Sequence, residues 1–284
     1  MKKITLRFLK IAAKDKTTIF SVCVLLFWIL IALVPILIPT FANIQISLQD
    51  RLQNPSIKYW LGVDGNGQSV SLLIMNGAST SLIVSLFTVS MSLLVGIPLG
   101  AIAGFFGGKV DILISRFIDI LLAFPPMVLP IAIMAFFGGG LVNVVVALSI
   151  TGWVSYARVV RGQFLSFKER EFVVAAKSLG ASNNRIMFKH IFPNTISPLA
   201  VQATFSLASV IIAEAGLSFL GLGVSQDHVS WGGLLNSARD YLTTNPFLAF
   251  FPAFALFSIV ASLNFIGEAL RLTFDPKSIG AGRA

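Results

Sequence analysis

Charge is what this sequence has least of. Asp, Glu, Lys and Arg make up 12% of its 284 residues, against 56% hydrophobic residues and a mean hydropathy of +0.86. So small a charged fraction argues against a soluble enzyme of this size, and it excludes a disordered chain, which needs high charge and few apolar side chains. Segments 19–39, 82–106 and 247–263 contain no Asp, Glu, Lys or Arg, and each is close to the roughly 20 residues a helix needs to cross hydrocarbon. The runs are apolar throughout, whereas the strands of a membrane barrel alternate over segments of about 10 residues. The fold class is therefore an all-α membrane protein.

Cysteine and histidine are scarce as well. Cys23 is the single cysteine and lies inside the first apolar run, so no intrachain disulfide can form and the thiol reads as a small hydrophobe. The two histidines, His190 and His228, have no further ligands at metal-binding spacing, and no metal is expected. No G-x-x-x-x-G-K-[ST] occurs. The nearest glycine cluster, residues 104–109, has the wrong spacing and adjoins an apolar run, so the chain is not expected to bind or hydrolyse ATP by itself. No nucleophile, base or metal cluster falls within the apolar segments to suggest a membrane-embedded enzyme.

What is present is six apolar windows, at 18–40, 80–106, 112–138, 141–161, 195–222 and 246–270. An even number places both termini on one side. With the N-terminus in the cytoplasm, Arg51, Lys58 and Arg239 are the only external members of the 21 Lys and Arg residues, and the positive-inside tendency selects this N-in, C-in orientation. The net charge of +9 is thereby read as a membrane-topology signal, with no nucleic-acid partner expected. Residues 1–17 form a cytoplasmic N-terminal segment, and the first span shows no small-residue cleavage site, so it is read as retained. Residues 18–284 form a single transmembrane domain with an external loop at 41–80, polar and rich in Gly, Asn and Ser near 62–77, and a cytoplasmic loop at 162–194.

Several residues within the spans call for explanation. Glu214 falls in mid-span, where an ionisable group costs at least about 2.5 kcal/mol unless it is paired, protonated or facing water. Two readings fit it: a pathway contact, or a structural hydrogen bond to Ser209, Ser218 or a neighbouring helix. Arg116 and Asp119, three apart, predict an ion pair on a helix surface. Pro125, Pro126 and Pro130 predict a kink or break in the third span, either lining a path or serving architecture alone. Gly96, Gly100 and Gly104 form a small-xxx-small ladder suited to close helix packing, within the bundle or at a partner interface.

The 162–194 loop is the most unusual stretch. Phe172, Ala175, Ala176 and Leu179 fall at i, i+3, i+4 and i+7, one face of a helix, with Gly180 to end it and Ser182 placed to cap a second helix. Pro193 marks the start of the fifth span. The pair makes either a knob projecting from the membrane domain or an interfacial pair lying on the lipid surface.

Residues 171–194, EFVVAAKSLGASNNRIMFKHIFPN, resemble the signature loop of the permease subunits of ABC importers, with Ala175, Ala176, Gly180 and Pro193 at the family's spacing. Departures are Val174 where the family has Glu, His190 for Ile and Phe192 for Leu. The ending at His190, Ile191, Pro193 and Asn194 is similar to the peptide and nickel branch. Further matches run through Trp60, Leu61, Gly62, Asp64, Gly67 and Val70, with Gln68 and Ser69 in place of Arg-Asp. They continue through residues 119–125, 152–162, Glu214 with 217–223, 230–232, and Asn264, Gly267, Leu270, Arg271, Asp275 and Pro276. The chain is thus identified as similar to C-type subunits of dipeptide and oligopeptide importers.

The resemblance implies a type I importer permease fold with a cytoplasmic coupling helix in a bacterial cytoplasmic membrane. It also implies a heterodimer with a homologous second permease, two ATP-binding-cassette ATPases that bind the ATP and Mg, and an external solute-binding protein. Glu171, Ala175, Ala176, Gly180, His190 and Pro193 would carry coupling to the ATPases; Glu214, Pro125 and Pro126 are pathway or intramembrane polar candidates. Nickel or a metallophore is the alternative cargo within that architecture. An ion-coupled secondary transporter is the rival class, for which intramembrane charge pairs or inverted repeats would be expected.

Overall fold

Residues without charge over 20 or more positions become long helices here. The computed structural model describes residues 15–224 and 228–274; the basic residues before Asp15 and the matches at Asp275 and Pro276 lie outside them. Helix α1, Lys16–Leu37, starts where the Asp15 carboxylate accepts from the Thr17 backbone N–H and from the hydroxyls of Thr17 and Thr18, an N-cap that satisfies donors left free at a helix start. Helix α2 is Val70–Phe106, α3 is Gly108–Leu122 and α4 is Val128–Phe137. Helix α5 is Leu141–Phe167, α6 is Glu171–Ser178, α7 is Phe192–Phe219, α8 is Trp231–Ala238 and α9 is Phe247–Phe274.

Among the described residues, five helices are long and apolar enough to cross a membrane: α1, α2, α5, the continuous helical run 183–219 that ends in α7, and α9. The third expected window, 112–138, is not a single helix. It divides into α3 of 15 residues and α4 of 10, separated by residues 123–127. The break has a plain cause. Pro125 and Pro126 have no N–H to give to the carbonyls one turn earlier, and each disfavours helical backbone in the residue before it.

The second window also begins earlier than expected. Helix α2 starts at Val70 and runs 37 residues, about 56 Å at 1.5 Å per residue, far beyond the roughly 30 Å of hydrocarbon. Its first turns belong to the segment expected to be loop. They are held there by Trp231, fully buried, whose indole N–H donates to the Ile74 carbonyl at 3.0 Å. Trp231 also stacks edge-on with Trp28 at 5.0 Å. Gly77 permits this, because a Cβ there would come within 2.7 Å of the Trp231 ring.

Helices α2 and α5 run side by side in the same direction. Gly96 lies against the Trp153 carbonyl, Gly100 against Ala157 and Gly104 against Arg161 and Phe164, so the glycine ladder packs within this chain. Helix α7 runs the other way, with Ser81 of α2 opposite Glu214. Clusters of buried side chains fill the bundle. The first, around Trp28, Ile74, Trp231 and Ile259, joins α1, α2, α8 and α9. The second, around Tyr156, Phe164, Val173, Ile186, Ile191 and Leu199, joins α5, α6 and α7.

The segment between α1 and α2 is organised by Asp50. Its carboxylate accepts from the Tyr59 hydroxyl at 2.7 Å, from Lys58 and Ser47 at 3.0 Å, and from the Gln53 amide at 2.8 Å. Tyr59, then Lys58 and Ser47, hold the Asp50 pKa down at about 2. A folded-state pKa below the unfolded value gives stabilisation that is complete above the usual carboxylate range and lost as pH falls through the folded value. A spin label at position 54, with Cys23 replaced by serine, is therefore expected to keep constant mobility from about pH 7 to 5 and to loosen only below about pH 4. Asp50→Asn should remove that dependence; a wild-type label already loosening at about pH 6 would contradict it.

Candidate functional site

The 162–194 segment folds as a knob built on the bundle. Helix α5 ends at Phe167, a turn follows, and Glu171 opens α6. Gly180 ends it with φ of +80°, the left-handed conformation that other residues adopt at a cost. The Gly180 N–H donates to Lys177 and the Ala181 N–H to Ala176, both at 3.0 Å, closing the helix end. The Ser182 hydroxyl accepts from the Arg185 N–H, as its N-cap position predicted. Residues Asn183–Arg185 then pass into a π-helical turn, Ile186–Ile191, that runs directly into α7. Pro193 sits at the start of α7. Its ring would clash with the carbonyl four residues earlier in a regular helix, and the widened turn just ahead of it, where the Phe192 N–H bonds to Met187, relieves that conflict.

The stripe of Phe172, Ala175, Ala176 and Leu179 does not bury itself in the bundle. Leu179 is 89% exposed and Phe172 44%; Ala175 is exposed and Ala176 half-buried. The anchor is Val173, 3% exposed, which packs with Ile186, Met187 and Ile191 in the same cluster as Phe164 and Tyr156. An outward apolar stripe and a single inward valine mean that α6 is fixed by one face and offers the other. Glu171 and Pro193 are exposed. His190 is half-buried in the π turn, its carbonyl accepting from the Asn194 amide at 2.7 Å. Gly180 stands in open space, with nothing within 4 Å of a built Cβ.

Glu214 is fully buried. Its carboxyl oxygens accept from Ser218 at 2.8 Å, one turn along α7, and from Ser81 at 3.1 Å, across in α2. The bond to Ser218 and the link to a neighbouring helix are two of the contacts expected from the sequence; Ser209 bonds its own helix backbone instead. Glu214→Ala would strand two buried hydroxyls and is expected to cost about 2 kcal/mol or more, while Glu214→Gln keeps a carbonyl acceptor and should cost less than about 1 kcal/mol. Thermal unfolding in detergent measures both, and equal effects would refute the clasp.

Pro125 and Pro126 lie elsewhere, on the wall of a cavity of about 630 Å³ between α2, the α3–α4 break, α5 and α7. Glu214 does not line it. Arg116 and Asp119, expected to pair, are both exposed and make no ion pair among the described residues. Arg161 of α5 instead donates through Nε and Nη2 to both oxygens of Asp111 in the first turn of α3, the second at 2.8 Å. Nothing in the sequence links Asp111 to Arg161, 50 residues apart. The one available signal is that both lie at the ends of apolar runs, where buried charge must find a partner.

Residues 96–279 match the family described as the binding-protein-dependent transport system inner membrane component. The dipeptide transport system permease protein DppC of Alkalihalophilus pseudofirmus is 39% identical over 264 residues, covering 93% of this chain and 87% of that one. The glutathione transport system permease protein GsiD of Pectobacterium atrosepticum is 40% identical over 229 residues, 80% and 76% of the two chains. The oligopeptide transport system permease protein OppC of Bacillus subtilis is 36% identical over 252 residues, 88% and 83%. Among solved structures, the MetNI methionine ABC transporter in an inward-facing conformation aligns with 72% of this chain and 97% of that one, with a TM-score of 0.61 and 19% identity, a likeness of fold.

Proposed function

Because the chain belongs to the binding-protein-dependent transport system inner membrane component family, we propose that it is a permease subunit of an ABC importer that carries di- and oligopeptides across the bacterial cytoplasmic membrane. The observation that carries this reading is α6, held to the bundle by Val173 while Phe172, Val174 and Leu179 stand exposed. A charged, solvated surface would need no such stripe. An apolar face left open on a short helix fits a cleft in a second protein.

In this reading the knob lies in the cytoplasm, the termini lie on the same side, and α3 with α4 together make one crossing, for six in all. The second permease, two ATPases and an external solute-binding protein complete the transporter. ATP and Mg belong to the ATPases, and this chain hydrolyses nothing. Closure of the ATPases moves α6, and the shared core of Val173, Ile186, Ile191, Phe164 and Tyr156 transmits that motion to α5 and α7 as one body. Rigid-body rocking of packed helices between outward-open and inward-open states then follows. Glu171, Ala175 and Ala176 would form the seated face, Gly180 its turn, and His190 and Pro193 the junction to α7. Val174 replaces the family's Glu, so the seat is more apolar at that position, with Glu171 one turn earlier as the nearest carboxylate.

The test is to tag this chain in its native membrane, purify it gently, identify what accompanies it, and measure ATP hydrolysis and peptide uptake in liposomes. A second permease, an ATPase with turnover, and ATP-dependent peptide import are expected. A homo-oligomer without ATPase, driving ion-coupled uptake, would overturn the reading.

A further inference from the structure

A second cavity, of about 360 Å³, lies beside the knob. Its wall is formed by Phe105 and Phe106 in the last turn of α2, Lys168 and Glu169 in the turn after α5, and Val173 and Lys177 of α6. Val173 and Lys177 are one turn apart, so the cavity opens on the flank of α6 and not on its outward stripe. Lys168 is half-buried and Lys177 exposed, and neither forms an ion pair among the described residues. Asp111 is near enough to feel the Lys168 charge, but both of its oxygens are engaged by Arg161. Two ammonium groups thus border one small cavity whose lining holds a single acid, Glu169. Asn183, also on the wall, adds an amide able to donate.

An apolar track runs into this cavity along α2. Met91, Val95, Pro98, Ile102 and Phe106 are all exposed and fall at i, i+4, i+7, i+11 and i+15, one face of the helix. The stripe is about 22 Å long at 1.5 Å per residue, enough to follow an acyl chain through one leaflet of a hydrocarbon core about 30 Å thick. Phe106 is its last member and lines the cavity. Two lysines against one glutamate leave one net positive charge, the complement of one phosphodiester. Apolar surface ending in a cationic pocket at the cytoplasmic border suits a lipid of net negative charge.

We propose that this cavity binds the phosphate of an anionic phospholipid of the inner leaflet between Lys168 and Lys177, with an acyl chain laid along the α2 stripe. The proposal rests on the cytoplasmic placement of the knob in the reading above and not on the cargo. A lipid held there touches both the end of α2 and the flank of α6, and leaves the outward stripe free.

The chain is purified in detergent with the subunits that accompany it and titrated with phosphatidylglycerol or with phosphatidylcholine of the same acyl chains, bound lipid being counted by native mass spectrometry. Phosphatidylglycerol should bind in preference. Lys168→Gln and Lys177→Gln should each weaken it about fivefold, the scale of one basic residue at an anionic surface, and Glu169→Gln should strengthen it. Lys189, exposed in the same segment and absent from the cavity wall, supplies the control: Lys189→Gln should change nothing. Equal binding of the two lipids overturns the proposal, as does a loss in Lys189→Gln matching that in the cavity variants, which would mean diffuse attraction to a basic surface. Inorganic phosphate that binds through the same lysines where phosphatidylglycerol does not would assign the cavity to a soluble phosphate and overturn the lipid. Asn184→Cys, with Cys23 replaced by serine, reports the placement, and its labelling by an impermeant reagent from outside the cell would overturn placement and lipid site together. Peptide uptake enters none of these measurements, so a failure of the peptide reading is seen separately.

Discussion

Gly100→Val should leave α2 and α5 unable to pack. A Cβ at position 100 would meet the Ala157 backbone, with the Cα at 2.9 Å and the Val160 Cβ also at 2.9 Å. Overpacking against flexible side chains costs about 1–3 kcal/mol. Here the obstacle is the main chain of a helix fixed at three successive turns, by Gly96, Gly100 and Gly104 against Trp153, Ala157 and Arg161, and it cannot rotate aside. The cost should therefore reach about 3 kcal/mol or more, enough to lower the melting temperature by roughly 6–12 °C for a chain of this size. Gly162→Ala is the control. Gly162 lies in the same α5, has nothing within 4 Å of a built Cβ and an ordinary helical backbone, so alanine there should be neutral or slightly stabilising. Equal melting temperatures for Gly100→Val and wild type would show that the two helices are held apart by other contacts.

The glycine face was legible as a packing surface, because three glycines at intervals of four on an apolar run have few other uses; whether it packs within the bundle or against a partner was not. The helix ends in the 162–194 segment were legible too. Gly180 as the helix stop and Ser182 as the next cap are local signals, and local signals survive folding. What the sequence concealed was set by distant groups. The extra turns at the start of α2 exist because Trp231 comes back over Gly77, a contact across some 150 residues that no periodicity announces. The expected pairing of Arg116 with Asp119 follows a rule for isolated helices, worth only about 0.2–0.5 kcal/mol, too little to hold two exposed side chains together, whereas the bidentate, charge-assisted fork of Arg161 on Asp111 joins groups 50 residues apart that no local rule pairs. The direction of the α6 stripe was equally hidden: spacing shows that a face exists, and only packing shows whether it turns inward.

The outward stripe leads to the second large expected effect, at Gly180. With φ at +80°, any side chain larger than hydrogen adds about 1–2 kcal/mol of left-handed strain, and the open space around the position means that alanine adds nothing further. Gly180→Ala should accordingly lower ATP-dependent uptake by less than about tenfold, because roughly 1–2 kcal/mol of local strain at the end of α6 is shared with a flexible turn. Gly180→Trp carries the same backbone strain and, in addition, an indole projecting from the exposed end of α6 beside Leu179, where, in the proposed coupling role, a docked ATPase would have to close on the helix. It should abolish uptake while leaving membrane insertion and the melting temperature at the alanine level. The comparison separates the two causes, since strain is common to both variants and obstruction belongs to one. Matching uptake in Gly180→Ala and Gly180→Trp would mean that nothing docks at this end of α6, and the coupling role would then have to move to the Val173 side of the helix, where no free surface remains.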